Sequence, residues 1–322
     1  MSEYDFIIVG AGSAGSALAN RLTENPDNRV LLLEAGGADS HPWVRIPMGY
    51  GKVFYDQRVN WKYTTEPNET LDGNRIYWPR GKVMGGSSSI NAMVYVRGHP
   101  QDYDHWAKDA PGWSWTDVAP VFKRMENWLG AANPDRGSDG PLTVRDIADD
   151  AHPLCANYLT AAEQAGFAYN PDYNSGQMEG AALYQITTKN GLRASAARAY
   201  ITPIQHRSNL TLALRAHVQK LCFEGRKVTG VRYLQKGQLK TAHARAEVIL
   251  CSGAINSPQL LQLSGIGPGA LLQAHNIPVV QDMPQVGRNL KDHLGADLHY
   301  RSKVQTLNQV LRPLSGKIKV AL

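Results

Sequence analysis

Cysteine is scarce in this sequence, and basic residues are nowhere clustered. The three cysteines, Cys155, Cys222 and Cys251, are far apart and form no CxxC pair, which argues against a disulfide framework, a redox dithiol and a zinc site. No apolar run approaches the roughly 18 residues of a membrane span. The net charge is +6, but lysines and arginines are scattered singly among acidic residues, so we expect no nucleic-acid partner.

Motifs of two large enzyme classes are also missing. The G-x-S-x-G elbow of α/β-hydrolases is absent, because Gln262 stands two residues before Ser264. A phosphate-binding GxxxxGK[ST] loop is absent, because Ile76 stands where Gly81-Lys82 would need the first glycine. The N-terminus carries acidic residues and no basic head of a secretory signal, so we expect a cytoplasmic protein, with association at the inner face of the membrane left open.

The first 35 residues predict a dinucleotide-binding βαβ unit. Short apolar runs predict buried strands, and an Ala- and Leu-rich stretch between them predicts a helix. The order is strand, glycine-rich turn, helix, strand and terminal acid: Tyr4–Val9, Gly10–Gly15, Ser16–Leu22, Arg29–Leu33 and Glu34. This order makes the GxGxxG pattern far more specific than it is alone.

Each glycine of this turn has a physical reason. Gly10 allows the tight turn after the strand, Gly12 lets the backbone approach a pyrophosphate, and Gly15 lets the helix pack closely on the sheet. Glu34 can accept hydrogen bonds from a ribose diol, which disfavours NADP but leaves NAD and FAD open. The candidate contacts are Gly10, Gly12, Ser13, Ala14, Gly15, Glu34 and Ala35.

Two further segments resemble the signature segments of the glucose–methanol–choline (GMC) oxidoreductases. They are Gly81–Val94 (GKVMGGSSSINAMV) and Gly253–Gly267 (GAINSPQLLQLSGIG), and the resemblance is strongest to the branch with bacterial choline and alcohol dehydrogenases. It implies an α/β fold with a Rossmann-like FAD-binding domain and a second, antiparallel-sheet substrate domain that is incomplete here. It also implies oxidation of a small-molecule alcohol by hydride transfer to flavin N5, with a quinone-type acceptor or oxygen taking the electrons.

The resemblance extends to individual residues. Trp61 is expected near the cofactor, and the Val218 backbone at its adenine end. Some members of the family attach the flavin through a histidine directly before the asparagine of the first segment, but Ile90 stands there, so we expect non-covalent FAD. The other implied contacts are Val83, Gly86, Ser87, Asn91, Ala92, Met93, Val94, Ser252 and Gly253.

No catalytic residue is assigned. In the family the base is a C-terminal histidine paired with a second His or Asn, and no histidine here lies in a matching stretch. We interpret His99 as a loop residue and His293 as structural. The resemblance therefore implies that the C-terminal catalytic part is missing from this chain, which alone would be inactive.

The same resemblance divides the chain into four parts: the FAD-binding domain with a lid over 1–140, the substrate domain over 141–190, the FAD-binding domain again over 191–295, and the substrate domain again over 296–322. Further predicted strands are Pro141–Arg145, Leu210–Leu214 and Val248–Cys251, with a hairpin of Lys227–Leu234 and Leu239–Glu247. Helices are predicted over Leu154–Gly166, from Ser257-Pro258 to Gly265, and as a basic amphipathic stretch reaching Leu322. The aromatic residues Trp113, Trp115, Phe122 and Trp128 are predicted to be core.

Three other functions compete with an FAD-dependent alcohol oxidoreductase. An NAD-linked enzyme would leave the two signature segments without a role. A flavoenzyme reduced by NAD(P)H would need a second strand–GxGxxG–helix unit or a CxxC, and Gly265 follows a helix instead. An inactive or split GMC fragment would act as a flavin-binding or interaction module.

Overall fold

A computed structural model of the protein describes residues 2–293, 295, 298–313 and 315. The strands are β1 Ser2–Val9, β2 Val30–Glu34, β3 Tyr63–Thr64, β4 Tyr77–Trp78, β5 Glu126–Trp128, β6 Leu142–Val144, β7 Thr188–Lys189, β8 Leu192–Arg193, β9 Leu210–Leu214, β10 Ala216–Glu224, β11 Lys227–Gln235, β12 Gln238–Leu250, β13 Ile266–Gly267 and β14 Gln281–Asp282. The α-helices are α1 Ser13–Leu22, α2 Pro42–Arg45, α3 Tyr50–Val53, α4 Pro100–Trp106, α5 Trp115–Met125, α6 Pro153–Gln164, α7 Gly253–Leu263, α8 Gly269–Ala274 and α9 Leu307–Val310. None of the helices in these residues is long and apolar enough to cross a bilayer.

A six-stranded mixed sheet forms the centre of the molecule, in the order β10-β11-β12-β1-β2-β9. The pairs β12–β1, β1–β2 and β2–β9 are parallel, whereas β10, β11 and β12 pair antiparallel. All five residues of β2 are buried, as expected for a strand of a parallel sheet covered on both faces. The predicted α/β fold is confirmed.

Alternate residues of β1 and β2 build two separate cores. Ile7 and Leu31 belong to a cluster on one face of the sheet, together with Leu260 of α7. Ile8 and Leu32 belong to a cluster on the opposite face, which includes residues of α1. Successive side chains of a strand point to opposite faces of the sheet. A continuous apolar run therefore supplies core residues to both faces.

Three predictions on the second half of the chain need correction. The hairpin strand over Leu239–Glu247 and the sheet strand at Val248–Cys251 are one strand, β12, whose first part pairs with β11 and whose later part pairs with β1. The edge strand β10 was not predicted. Helix α7 starts at Gly253 and not at Ser257, so Pro258 lies inside it, where it donates no backbone hydrogen bond. Its end at Gly265, which has φ +93°, is as predicted.

The aromatic residues of α4, α5 and their connection are not core. Trp113 is 52% exposed, and Trp115, Phe122 and Trp128 are only half-buried, so that prediction is wrong. The rings of α4 and α5 pack against one another, with centroids 5.8 Å apart for Tyr103 and Phe122 and 6.1 Å for Trp115 and Phe122. Trp128 of β5 instead packs under the Arg136 guanidinium, 3.9 Å from the ring centroid. Two short helices can bury only the sides of large rings that face each other, which leaves the outer edges in solvent.

The region between the early and late sheet strands is built from short elements. The predicted strand at Pro141–Arg145 is β6 and pairs parallel with β5, while β7 and β8 form an antiparallel pair. The predicted helix at Leu154–Gly166 is α6, whose first turn is capped by the His152 side chain. The second, antiparallel sheet and the four-part division stay predictions. The amphipathic helix predicted toward Leu322 falls largely outside the described residues.

Candidate cofactor site

The turn between β1 and α1 is packed so tightly that only glycine fits. Gly10 has φ +102°, and a Cβ there would lie 2.5 Å from the carbonyl oxygen of Cys251, which directly follows β12. A Cβ on Gly15 would lie 1.9 Å from the carbonyl oxygen of Gly10. These glycines bring the helix N-terminus against the sheet. No side chain among the described residues caps this N-terminus, so its backbone N–H groups can bind an anion.

Glu34 places a carboxylate at the end of β2, where it is only 6% exposed. Its Oε2 accepts the Ala11 N–H at 3.0 Å, and its Oε1 accepts the Gly36 N–H at 2.8 Å. Burial raises the pKa of Glu34 to about 7, against the opposing effect of these hydrogen bonds and of Lys82. The two backbone bonds fix the carboxylate in orientation, as recognition of a ribose diol requires.

The first signature segment packs directly on the N-terminal unit. The Gly85 N–H donates to the Ala11 carbonyl at 2.7 Å. Gly86 has φ +56°, and a Cβ on it would lie 2.7 Å from the Cα of Gly12. Because neither glycine has a side chain, two segments far apart in sequence form one continuous backbone surface.

This surface bounds a cavity of about 610 Å³, a size typical of small-molecule sites. The cavity lies at the carboxyl ends of β1, β2 and β12, where nucleotides bind in open α/β sheets. The backbone cradle, the uncapped helix and the buried carboxylate therefore fit a dinucleotide. The predicted contacts that line it are Gly10, Gly12, Ser13, Ala14, Glu34, Ala35, Trp61, Gly86, Ser87, Val218, Ser252 and Gly253.

Six predicted contacts do not line this cavity. Gly15 packs under the turn, and Val83 is fully buried in an apolar cluster with Ile90. Asn91, Ala92, Met93 and Val94 also lie outside the cavity wall. The Asn91 Oδ1 accepts the Met93 N–H at 3.1 Å, and Met93 has φ +65°, a conformation that an unbranched side chain adopts only at a cost.

The cavity wall includes residues that the sequence did not single out. His217 packs on Trp61 with ring centroids 5.4 Å apart, and partial desolvation by its neighbours, followed by the charge of Lys82, lowers the pKa of this otherwise exposed residue. On the other side, Asn256 of α7 lines the cavity, and its Oδ1 accepts the Tyr63 hydroxyl at 2.9 Å. The signal for Asn256 was its place in the second signature segment, which lines the cavity along α7 beyond the Ser252–Ala254 turn.

The two histidines considered in the sequence do not line this cavity. The His99 side chain accepts the Gln101 N–H at 3.2 Å and so caps α4. The His293 N–H donates to Asp292 Oδ1 at 2.9 Å in an exposed segment. Asp292 in turn accepts Trp78 Nε1 at 2.9 Å. The cap on α4 is a structural contact of the His99 side chain, whereas the His293 contact is made by its backbone, so a structural role for the His293 side chain stays a prediction.

A family model described as GMC oxidoreductase matches residues 4–295. The chain belongs to the GMC oxidoreductase family. It is 46% identical over 301 residues to an alcohol dehydrogenase [acceptor] of Pseudomonas putida, covering 92% of this chain and 54% of the relative. It is 44% identical over 309 residues to an oxygen-dependent choline dehydrogenase of Vibrio vulnificus, covering 95% of this chain and 55% of the relative. The resemblance inferred from the two segments is confirmed.

Solved structures with a similar fold agree with this family assignment. A pyridoxine 4-oxidase from Mesorbium loti superposes with a TM-score of 0.84 at 35% identity, covering 88% of this chain and 56% of that one. An FAD-dependent oxidoreductase from Chaetomium thermophilum gives a TM-score of 0.81 at 31% identity, covering 87% and 51%. The chain spans about half the length of the curated relatives it matches.

Proposed function

We propose that this chain binds FAD non-covalently and forms the cofactor-binding part of an enzyme that oxidises a primary alcohol to an aldehyde. The observation that carries the proposal is the meeting of both signature segments with Glu34 around one cavity. The GMC family and its FAD-dependent neighbours support FAD over NAD. Bound FAD supplies the hydride acceptor, at flavin N5.

The residues of this chain bind and orient the cofactor. The uncapped N-terminus of α1, with Ser13 and Ala14, offers N–H groups to the diphosphate. In this proposal Glu34 accepts hydrogen bonds from the adenosine ribose, the Val218 backbone meets the adenine end and Trp61 lies near the cofactor; all three residues line the cavity. Contacts of Val83 and of Asn91–Val94 with the flavin stay part of the proposal, as does the four-part division of the chain.

The partners in turnover are an alcohol and an electron acceptor. One relative is named an alcohol dehydrogenase [acceptor] and another an oxygen-dependent choline dehydrogenase, which supports a small alcohol as the substrate here. The two electron acceptors to compare are a quinone-type acceptor and oxygen. A cytoplasmic location and contact with the inner face of the membrane stay predictions.

A second candidate is a flavin-binding module without turnover. Among the described residues, His217 is the histidine that lines the cavity, and it lies beside Trp61 and Val218 at the end assigned to adenine. A proton acceptor for the substrate hydroxyl has to lie within hydrogen-bond reach of it. This observation favours cofactor binding over catalysis for the chain by itself.

The test is to titrate the purified chain with FAD and to follow the flavin spectrum. The proposal expects saturable binding of one FAD and, for the enzyme, anaerobic bleaching by primary alcohols but not by NADH. Binding without bleaching by any alcohol supports the module. Absence of FAD binding, or bleaching by NADH, would contradict the proposed function.

A further inference from the structure

Arg193, the last residue of β8, is a buried cation whose partners are all neutral. Arg193 is only 2% exposed. Its Nε donates to the Val44 carbonyl at 2.9 Å, and its Nη1 donates to the Ser88 carbonyl at 3.2 Å and to Asn91 Oδ1 at 2.8 Å. Within the described part of the chain, the buried Nη2 has no hydrogen-bond partner.

Other buried arginines are paired with carboxylates. Arg97 and Arg136 share Glu126, with N–O distances of 2.6 Å to each. Arg193 contacts no carboxylate among the described residues, and burial alone lowers its pKa to about 10. A buried charge is costly unless an opposite charge compensates it. The cation at 193 therefore needs an anion that the described residues do not provide.

Arg193 is connected to the cavity through the residues to which it donates hydrogen bonds. Its acceptor Ser88 belongs to the turn over Gly86–Ser89, whose first two residues line the cavity. The Ser88 Oγ donates to the Gly85 carbonyl at 2.6 Å and accepts the Ala196 N–H at 2.9 Å, which joins the turn to the segment after Arg193. The other acceptor, Asn91, holds the strained backbone at Met93.

We propose that Arg193 is a positioning residue for an anionic cofactor: it holds the Gly86–Asn91 segment in place, and the negative charge of the bound cofactor compensates its own. The inference rests on the proposed function, because FAD carries a diphosphate and gains further negative charge on reduction. Arg193 acts through Ser88 and Asn91 and through its field, without lining the cavity itself. Lys can retain the charge, whereas Gln retains only part of the hydrogen bonding.

The test compares R193Q and R193K with the unchanged chain. We measure the Kd for FAD and the midpoint potential of the bound flavin, and we check folding by circular dichroism. We expect R193Q to bind FAD about tenfold more weakly and to lower the midpoint potential, because a long-range attraction is lost. R193K keeps the charge but has a single nitrogen, so it should keep the midpoint potential and lose less FAD affinity than R193Q.

A matched control is R207Q. Arg207 also has neutral partners, since its Nη1 donates at 2.8 Å to the Asn20 carbonyl and to Thr23 Oγ1, at the end of α1 away from the cavity. R207Q should leave Kd and potential unchanged.

Each outcome has one meaning. If the unchanged chain does not bind FAD, the proposed function fails and the inference falls with it. If the unchanged chain binds FAD, and folded R193Q has the same Kd and potential, Arg193 is not a counter-charge. If R193Q does not fold, a second neutral variant, R193M, is measured in its place by the same criterion. A lowered midpoint potential in folded R193K, despite the retained charge, overturns the inference.

Discussion

Gly12 and Gly86 face each other so closely that a Cβ on Gly86 would lie 2.7 Å from the Cα of Gly12. The contact joins the helix N-terminus of the βαβ unit to the first signature segment, and both glycines line the cavity. No small side chain can be added at Gly86 without separating these two backbones. The cavity therefore depends on the absence of two side chains as much as on any group that is present.

Gly86→Ala should lower both stability and FAD affinity. The methyl group clashes with Gly12, and φ +56° adds about 1 kcal/mol of strain for a residue with a Cβ. The matched control is Gly225→Ala, since Gly225 has φ +59° and no atom within 4 Å of an added Cβ. Urea unfolding and FAD titration check the prediction. Equal losses in the two variants would mean that the contact with Gly12 is unimportant.

The stability of the cofactor-free protein should depend on the ionisation of Glu34. Its pKa rises from 4.5 to about 7 on folding, so the stabilising contribution is fully present below pH 4.5 and is lost between pH 4.5 and pH 7. A shift of this size corresponds to about 3 kcal/mol. Above pH 7 the ionisation of Glu34 causes no further change of stability with pH.

Glu34→Gln isolates that contribution, because it cannot ionise. Its amide group meets one of the two backbone N–H donors, those of Ala11 and Gly36, so one hydrogen bond is lost at every pH. The difference in unfolding free energy between the two proteins should therefore change between pH 4.5 and pH 7 and level off above pH 7. A difference independent of pH would refute the assignment.

Features of the site that depend on neighbouring residues could be predicted from the sequence. The apolar run before Gly10 forms a buried strand, and the positive φ of Gly10 follows from the tight turn after that strand. Glu34 comes at the end of the next buried strand, so its place beside the glycine turn follows from the parallel pairing of β1 and β2. In each case the local pattern allows one arrangement of the chain.

Features that depend on an irregular strand or on a strand with two partners could not be predicted. Strand β10 alternates buried Ala216 and Val218 with exposed neighbours, but a bulge between Val218 and Lys220 places two exposed residues in succession and interrupts the alternation. His217, which this strand carries into the cavity, was missed for the same reason. The single strand β12 was divided because it pairs with two strands: β11, which directly precedes it in the chain, and β1, which lies at the N-terminus.

Glu126 should contribute more to stability than any exposed ion pair. It is fully buried and accepts hydrogen bonds from Arg97 and Arg136. Glu126→Gln leaves two buried cations without their shared carboxylate, and we expect the unfolding free energy to fall by about 3–5 kcal/mol. The control Glu24→Gln removes an exposed pair with Arg21 and should cost less than about 1 kcal/mol. Similar urea midpoints for the two variants would contradict this ranking.

The flavin should separate from the protein on acid precipitation. Ile90, at the position of the attachment histidine in some family members, is 2% exposed and packs in an apolar cluster with Val44, Val53, Val59 and Val83. An aliphatic side chain has no nucleophile, so no bond to the flavin can form there. After precipitation of FAD-loaded protein, we expect the yellow colour in the supernatant. As a second measurement, the mass of the denatured chain should equal that of the polypeptide alone. Colour in the pellet, together with a mass increased by one FAD, would show a covalent link at another residue.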